Sequence, residues 1–153
     1  MKRLLVAGCV LALASACTPP TTPTTTAPRG VHTTSAPAGD VAGLVGQQLA
    51  TSNAQGRRVL VSVGAPWCEP CVRFHDAVAR GDFDDVLAGV DLVEFNLDVD
   101  RARLEQAGYG SRMIPLLAVP GSDGRGGALR LEGSVKGEAA VADLRQRLGD
   151  LLR

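Results

Sequence analysis

The sequence of 153 residues predicts one α/β domain whose central mixed β-sheet of four or five strands is flanked by helices. Two β-branched-rich runs, Val59–Val63 and Val90–Leu97, alternate with segments of helical spacing, which is typical of strands joined by helices. Two further runs, Ile114–Val119 and Ala128–Leu131, are separated by a segment rich in turn-forming residues, which predicts an antiparallel pair. The length that remains after an N-terminal targeting segment suffices for one core.

Apolar residues at three- and four-residue spacing predict four helices around these strands. The helices cover Asp40–Gly56, Cys68–Arg80, Arg101–Ala107 and the stretch from about Glu138 to the C-terminus. Asp40 is expected to cap the first helix and Asp98–Asp100 the third, because their carboxylates accept hydrogen bonds from free N–H groups at a helix start. Gly81 ends the second helix, and a turn or partial helix is expected around Phe83–Leu87. The predicted order is α, β, α, β, α, β, β, α.

Residues 1–16 have the pattern of a secretion signal. A short basic start is followed by an apolar run, Leu4–Leu13, that is too short to span a bilayer, and small residues precede Cys17. The run Leu13–Cys17 resembles a bacterial lipobox, which implies that Cys17 is lipidated on its thiol and becomes the new N-terminus. Ala14 stands where that pattern prefers Leu, so secretion without a lipid is the alternative. The expected location is the bacterial cell envelope, outside the cytoplasm, on a lipid anchor facing the periplasm or the outer surface.

Residues 17–39 are predicted to be a disordered tether that links this anchor to a domain over residues 40–153. The tether is nearly all Thr, Pro, Ala, Ser and Gly, a composition that cannot bury enough apolar surface to offset chain entropy. His32 lies in this tract, where an isolated histidine is expected to be solvated.

Charge and cysteine content exclude two other classes of protein. The 16 basic and 16 acidic side chains balance, and cleavage of a signal carrying two basic residues leaves 14 against 16. This charge balance lacks the excess of basic residues that is typical of proteins that bind nucleic acid. Cys9 and Cys17 belong to the targeting segment, which leaves only Cys68 and Cys71 in the domain and excludes a scaffold of several disulfides.

The segment Trp67–Cys71 contains the chemistry-bearing motif, a Cys-x-x-Cys pair that follows a predicted buried strand and opens a helix. Free N–H groups and the dipole at a helix start stabilise negative charge at Cys68, so its thiolate is expected to attack and Cys71 to resolve the mixed disulfide. Pro70 suits an early helical position because the amide hydrogen it lacks has no intrahelical partner there. Trp67 is expected either to contact substrates or to shield the site.

In the order of its elements, in Trp67–Cys71 and in Ile114–Pro115, the sequence resembles the thioredoxin superfamily over residues 40–153. The resemblance implies a thioredoxin-like fold, a cis Pro115 facing the cysteines, and backbone groups of Ile114 that bind a substrate chain. The pair Glu69–Pro70, the signal and the tether are most similar to envelope reductants of the TlpA type. The stretch Cys71–His75 is also similar to the C-terminal domain of DsbD.

One departure from the family concerns proton transfer. Thioredoxins carry a buried Asp six residues before the first cysteine, where it assists proton movement at the resolving cysteine, and this chain has Ser62 there. Two side chains are candidates to replace it as proton shuttle: Glu94 on the neighbouring strand, and His75 one helical turn beyond Cys71. For each, an ordinary surface or core-edge position is the alternative.

The predicted function is a thiol–disulfide oxidoreductase that needs no cofactor and reduces protein disulfides. A carboxylate at Glu69 beside Cys68 disfavours the thiolate and stabilises the disulfide, which favours a reductant. Its partners would be a membrane electron donor and clients such as apocytochrome c or misbridged envelope proteins. Two alternatives stay open: a binding module in which the cysteines form a permanent bridge, and metal handling, with His75 joining the thiolates around copper or zinc.

Overall fold

The structure is a computed structural model that describes residues 31–153. The predicted signal over residues 1–16, the lipidation site Cys17 and the tether as far as residue 30 lie outside the described residues. The elements follow in the order β1 (His32–Ser35), α1 (Val41–Ala54), β2 (Arg58–Gly64), α2 (Glu69–Ala79), β3 (Val90–Asn96), α3 (Leu97–Gln106), β4 (Leu116–Pro120), β5 (Gly126–Glu132) and α4 (Ala139–Leu151).

The five strands form one mixed sheet in the order β1-β3-β2-β4-β5. Strands β1 and β2 each run parallel to β3, whereas β4 runs antiparallel to β2 and β5 antiparallel to β4. The predicted α/β class with a mixed sheet is therefore confirmed, and the turn-rich segment before β5 does join an antiparallel pair. The arrangement is consistent with a thioredoxin-like fold.

Helices cover both faces of the sheet, and the alternation of side chains along β2 separates the two sides. Val59, Val61 and Val63 belong to the core that contains residues of α1 and α3. Leu60 points to the opposite face, where it joins Phe74 of α2 and residues of α4. Because side chains two positions apart share a face, Ser62 also lies on the side covered by α2, which brings β2 beneath the Cys-x-x-Cys helix.

The folded part begins earlier than the sequence predicts. His32–Ser35, assigned to the disordered tether, form β1, which pairs in parallel register with β3 from Asp91 to Glu94. His32 is not simply solvated, because its Nδ1 lies 3.3 Å from Asp91 Oδ1. All four residues of β1 are exposed, so the strand is held by backbone pairing at the sheet edge and by this contact. A prediction based on apolar burial therefore missed it.

Two element boundaries also differ from the prediction. Helix α3 begins directly at the end of β3 and is capped by Asn96, whose side-chain oxygen accepts a hydrogen bond from Asp98 N at 2.9 Å. Asp98 and Asp100, predicted as caps, instead occupy the first turn, where carboxylates interact favourably with the helix dipole. Strand β4 begins at Leu116, after the predicted Ile114–Pro115, because proline has no N–H to contribute to a strand ladder.

Within residues 31–153, no helix is both long enough and apolar enough to cross a membrane.

Candidate functional site

The site is built around the first turn of α2, where Cys68 caps the helix. Strand β2 ends at Gly64, and Cys68 N donates a hydrogen bond to Ala65 O at 3.0 Å, which turns the chain into the helix. Cys68 and Cys71 form a disulfide with Sγ atoms 2.09 Å apart. Cys68 Sγ also accepts a hydrogen bond from Cys71 N at 3.3 Å. This first-turn N–H group is the type of donor that stabilises a thiolate once the disulfide is reduced.

The cysteine pair is packed closely against β2 and against the loop before β4. The Ile114–Pro115 peptide bond is cis, as the resemblance implies, and Ile114 O lies 3.6 Å from Cys68 Sγ. A Cβ atom at Gly64 would lie only 3.2 Å from Cys71 Cβ, so the glycine permits this close approach. Sequence reasoning missed Gly64, although a small residue at the end of the strand that precedes the motif was a usable signal.

A cavity of about 690 Å³ opens beside Cys71. Cys71 lines it together with Ser62, Pro115 and the two predicted proton shuttles. Part of the wall comes from the end of β1 and the segment that follows it, which sequence reasoning assigned to the tether. Arg103 of α3 holds that wall by donating hydrogen bonds to Pro37 O at 2.8 Å and Gly39 O at 3.0 Å. The cavity is large enough for a side chain or a small ligand to reach Cys71.

The structure brings Glu94 and His75 together in this cavity. Glu94 lies beside Ser62 in the parallel register of β2 and β3, and its side chain is 20 % exposed. His75 Nε2 lies 3.7 Å from Glu94 Oε2, and the imidazole is 60 % exposed. Burial raises the pKa of Glu94 above its ordinary value, and the charge of His75 opposes this shift. The two residues, considered as alternatives from the sequence, thus form a contacting pair.

Trp67 is exposed rather than packed, since 65 % of its surface is accessible. Its indole Nε1 donates a hydrogen bond to the Asp98 carboxylate, at 3.0 and 3.1 Å to the two oxygens. Val99, which follows Asp98, and Met113, which precedes Ile114, are also large exposed apolar residues. Exposed apolar side chains therefore occur next to the motif and next to the cis-proline segment. Side chains of this kind are suited to contact with another protein chain.

Glu69, at the second position of the motif, is tied to neighbouring elements. Its carboxylate accepts hydrogen bonds from Arg73 Nε at 2.5 Å and from Gly137 N at 3.1 Å. The hydrogen bond from Arg73, followed by that from Gly137, lowers the pKa of Glu69. Because Arg73 compensates its charge, Glu69 has less electrostatic effect on Cys68 than an unpaired carboxylate would have.

Within residues 31–153, no three His, Cys, Asp or Glu side chains form a group that could hold a metal ion. His75, the third ligand in the metal-handling alternative, contacts Glu94 and Asp76. The described part of the chain therefore offers no observation that favours that alternative.

A scan against models of protein families and a search of curated proteins found no match to this chain.

Proposed function

We propose that the protein is a thiol–disulfide oxidoreductase that works through Cys68 and Cys71. The observation that carries the proposal is the position of this disulfide, at the first turn of α2 and against Ile114 O. The Ile114 carbonyl next to the attacking sulfur can pair with the backbone of an extended client chain, and the exposed Trp67 and Met113 can contact the side chains of that client.

Reduction of a client proceeds in two thiol–disulfide exchanges. The thiolate of Cys68 attacks one sulfur of the client disulfide, forms a mixed disulfide and releases the other client sulfur as a thiolate. Cys71 then loses its proton and attacks Cys68 Sγ, which forms the Cys68–Cys71 disulfide and releases the second client thiolate. The client gains two electrons, which the dithiol loses, and the released thiolates take up protons. Cys71 needs a base for its step, and Glu94 and His75 line the same cavity.

The cellular setting of the proposal comes from the sequence. A lipid on Cys17 would hold the domain outside the cytoplasm at a membrane of the bacterial envelope. There, a membrane electron donor would keep the cysteines reduced, and apocytochrome c or misbridged envelope proteins would be clients. In this setting the protein acts as a reductant, in the manner of the TlpA-type proteins that the motif resembles.

One observation favours a second candidate, a binding module with a permanent bridge. Cys68 is only 5 % exposed and Cys71 9 % exposed, as expected of cysteines that support a fold. A permanent bridge resists a glutathione buffer in the folded state, whereas a working pair exchanges with it.

A trapping experiment tests the proposal against this candidate. In Cys71→Ser, the Cys68 thiol remains and no resolving thiol is present, so incubation with a disulfide-containing protein should give a stable mixed disulfide. In Cys68→Ser, the remaining Cys71 is expected to give far less of it, which makes this variant the matched control. Equal trapping by both variants would contradict the assigned roles, and no trapping by either would favour the permanent bridge.

A further inference from the structure

His75 and Glu94 approach each other from two different elements, and both face the cavity of the resolving cysteine. His75 lies on α2 one helical turn after Cys71, and Glu94 lies near the end of β3 beside Ser62. Their nearest atoms, Nε2 and Oε2, are 3.7 Å apart. Glu94 is mostly buried, whereas His75 is mostly exposed, so the pair extends from the interior of the cavity to solvent.

We propose that this pair is the proton relay of the resolving step, with Glu94 exchanging a proton with Cys71 and His75 acting as a positioning residue that controls the charge of Glu94. The inference rests on the proposed function and deepens it. It assigns two separate roles to residues that the sequence offered as alternatives. The inner carboxylate is the base, and the outer imidazole acts through it.

The surroundings of the pair support this division of roles. Burial raises the pKa of Glu94, which brings a carboxylate closer to the range in which it can accept a proton from a thiol near neutral pH. Ser62, opposite Glu94 on β2, does not ionise in this range and leaves the proton to Glu94. The charge of His75 favours the carboxylate form of Glu94 and so lowers the pKa of Glu94.

Other charges near the pair are themselves paired. From α3, Asp100 and Arg103 line the same cavity, and their side chains form an ion pair at 2.8 Å. On α2, Asp76 Oδ1 lies 3.9 Å from His75 Nδ1, at the ring nitrogen that does not contact Glu94. The end of β1 and the segment that follows it contribute Ser35, Ala36, Ala38 and Gly39 to the cavity and add no ionisable side chain. His75 is thus the cation that acts most directly on Glu94.

The relay step balances as follows. After Cys68 has formed a mixed disulfide, the Cys71 thiol gives its proton to the Glu94 carboxylate. The resulting thiolate attacks Cys68 Sγ, the Cys68–Cys71 bond forms, and the bond between Cys68 and the client sulfur breaks. The client leaves as a thiolate, and Glu94 then releases the proton to water. No oxidant or reductant other than the client disulfide and the dithiol takes part.

A two-phase assay separates this step from the first attack. The reduced full-length chain is mixed with dithiobis(nitrobenzoate), a disulfide that releases one coloured thiolate when Cys68 attacks and a second when Cys71 resolves. The rate of the second phase is followed against pH for the native chain, His75→Gln, Glu94→Gln and the double variant. His32→Gln is the matched control, because His32 is the other histidine of the chain and contacts Asp91, which lies three residues before Glu94 on β3 and therefore on the opposite face of that strand.

The relay predicts a second phase that accelerates as pH rises through the pKa of Glu94. His75→Gln should move this midpoint upward by about 0.5 to 1 pH unit and slow the second phase about 3- to 10-fold on its acid side. Glu94→Gln should slow the phase by about 100-fold and abolish the midpoint, and adding His75→Gln should then change nothing further. His32→Gln should match the native profile.

Three results would overturn the relay: an unchanged midpoint in His75→Gln, a normal second phase in Glu94→Gln, or independent effects that multiply in the double variant. Any of these with a normal first phase would leave the proposed function intact. If the native chain releases no coloured thiolate in either phase, the proposed oxidoreductase function fails, and the relay fails with it.

Discussion

Replacement of Asp91 by Asn should cost this domain a large part of its stability. Arg57 is 1 % exposed, and its Nε lies 2.6 Å from Asp91 Oδ1. Asp91 Oδ2 also accepts a hydrogen bond from Ser52 Oγ at 2.5 Å, so the carboxylate joins β3 to α1 and to the start of β2. Removing one partner of a buried ion pair costs about 3 to 5 kcal/mol because it leaves the other charge uncompensated. Since Asn retains an acceptor oxygen, we expect a loss of about 3 kcal/mol at pH 7, the lower end of that range.

The loss should depend on pH in a definite direction. Although burial raises the pKa of Asp91, the hydrogen bonds from Ser52 and Arg57 bring it below its ordinary value. A carboxylate with a depressed folded-state pKa contributes stability above its unfolded pKa of about 3.9, and this contribution is lost as pH falls through the folded value. The difference in the free energy of unfolding between the native chain and Asp91→Asn should therefore become smaller below about pH 4.

Urea denaturation, followed by circular dichroism at pH 7 and at pH 3, measures this difference in the free energy of unfolding. The control is Asp82→Asn, which breaks an exposed ion pair with Arg80 at 2.8 Å and should cost about 0 to 1 kcal/mol. A loss under about 1 kcal/mol for Asp91→Asn at pH 7, or a difference that is the same at both pH values, would refute the reasoning.

Three further predictions concern the site and its surroundings. Trp67→Ala should lower kcat/KM for a protein disulfide about 10-fold and leave the rate with a small disulfide unchanged, because we propose that the exposed indole contacts clients and not the reacting atoms. Turnover assays with both substrates measure this, and equal losses of rate would contradict it. Glu69→Gln should move the reduction potential of the Cys68–Cys71 pair by no more than about 10 mV, because Arg73 already compensates the charge of the carboxylate. Redox-buffer titrations measure this, and a larger shift would show that Glu69 acts on Cys68 directly. A chain starting at Asp40 should melt at a lower temperature than one starting at Val31, since it lacks β1 and the cavity wall held by Arg103; equal melting temperatures in scanning calorimetry would contradict this.

The sequence predicted those features of the fold that depend on apolar pattern. The run around Leu60 and the run around Leu92 were both predicted as strands, and they form β2 and β3. The sequence did not predict strand β1, because all four of its residues are exposed and the strand is held by backbone pairing and by the contact of His32 with Asp91. The cap of α3 was misassigned because several polar residues near the end of β3 could act as the N-cap. Asn96 is the cap because its backbone is still extended and its side chain accepts a hydrogen bond from Asp98 N.

The candidate site was predicted one residue at a time, and the structure adds how the residues meet. Spacing alone located Cys68 and Cys71, since a Cys-x-x-Cys pair at a helix start is a local feature. The contact between His75 and Glu94 joins residues on different elements and depends on the register of β2 and β3, which no local pattern encodes. Gly64 shows its role only once the distance from its position to Cys71 is known.

The central claim is that the Cys68–Cys71 pair exchanges with external thiols while the domain stays folded. The most direct test is the reduction potential of this pair in a chain of residues 31–153, equilibrated against glutathione and dithiothreitol buffers. We expect rapid exchange and a potential near or below that of thioredoxin, about −270 mV, as for an envelope reductant. A value near about −120 mV would contradict the reductant assignment, and a disulfide that exchanges only on unfolding would contradict the oxidoreductase function itself.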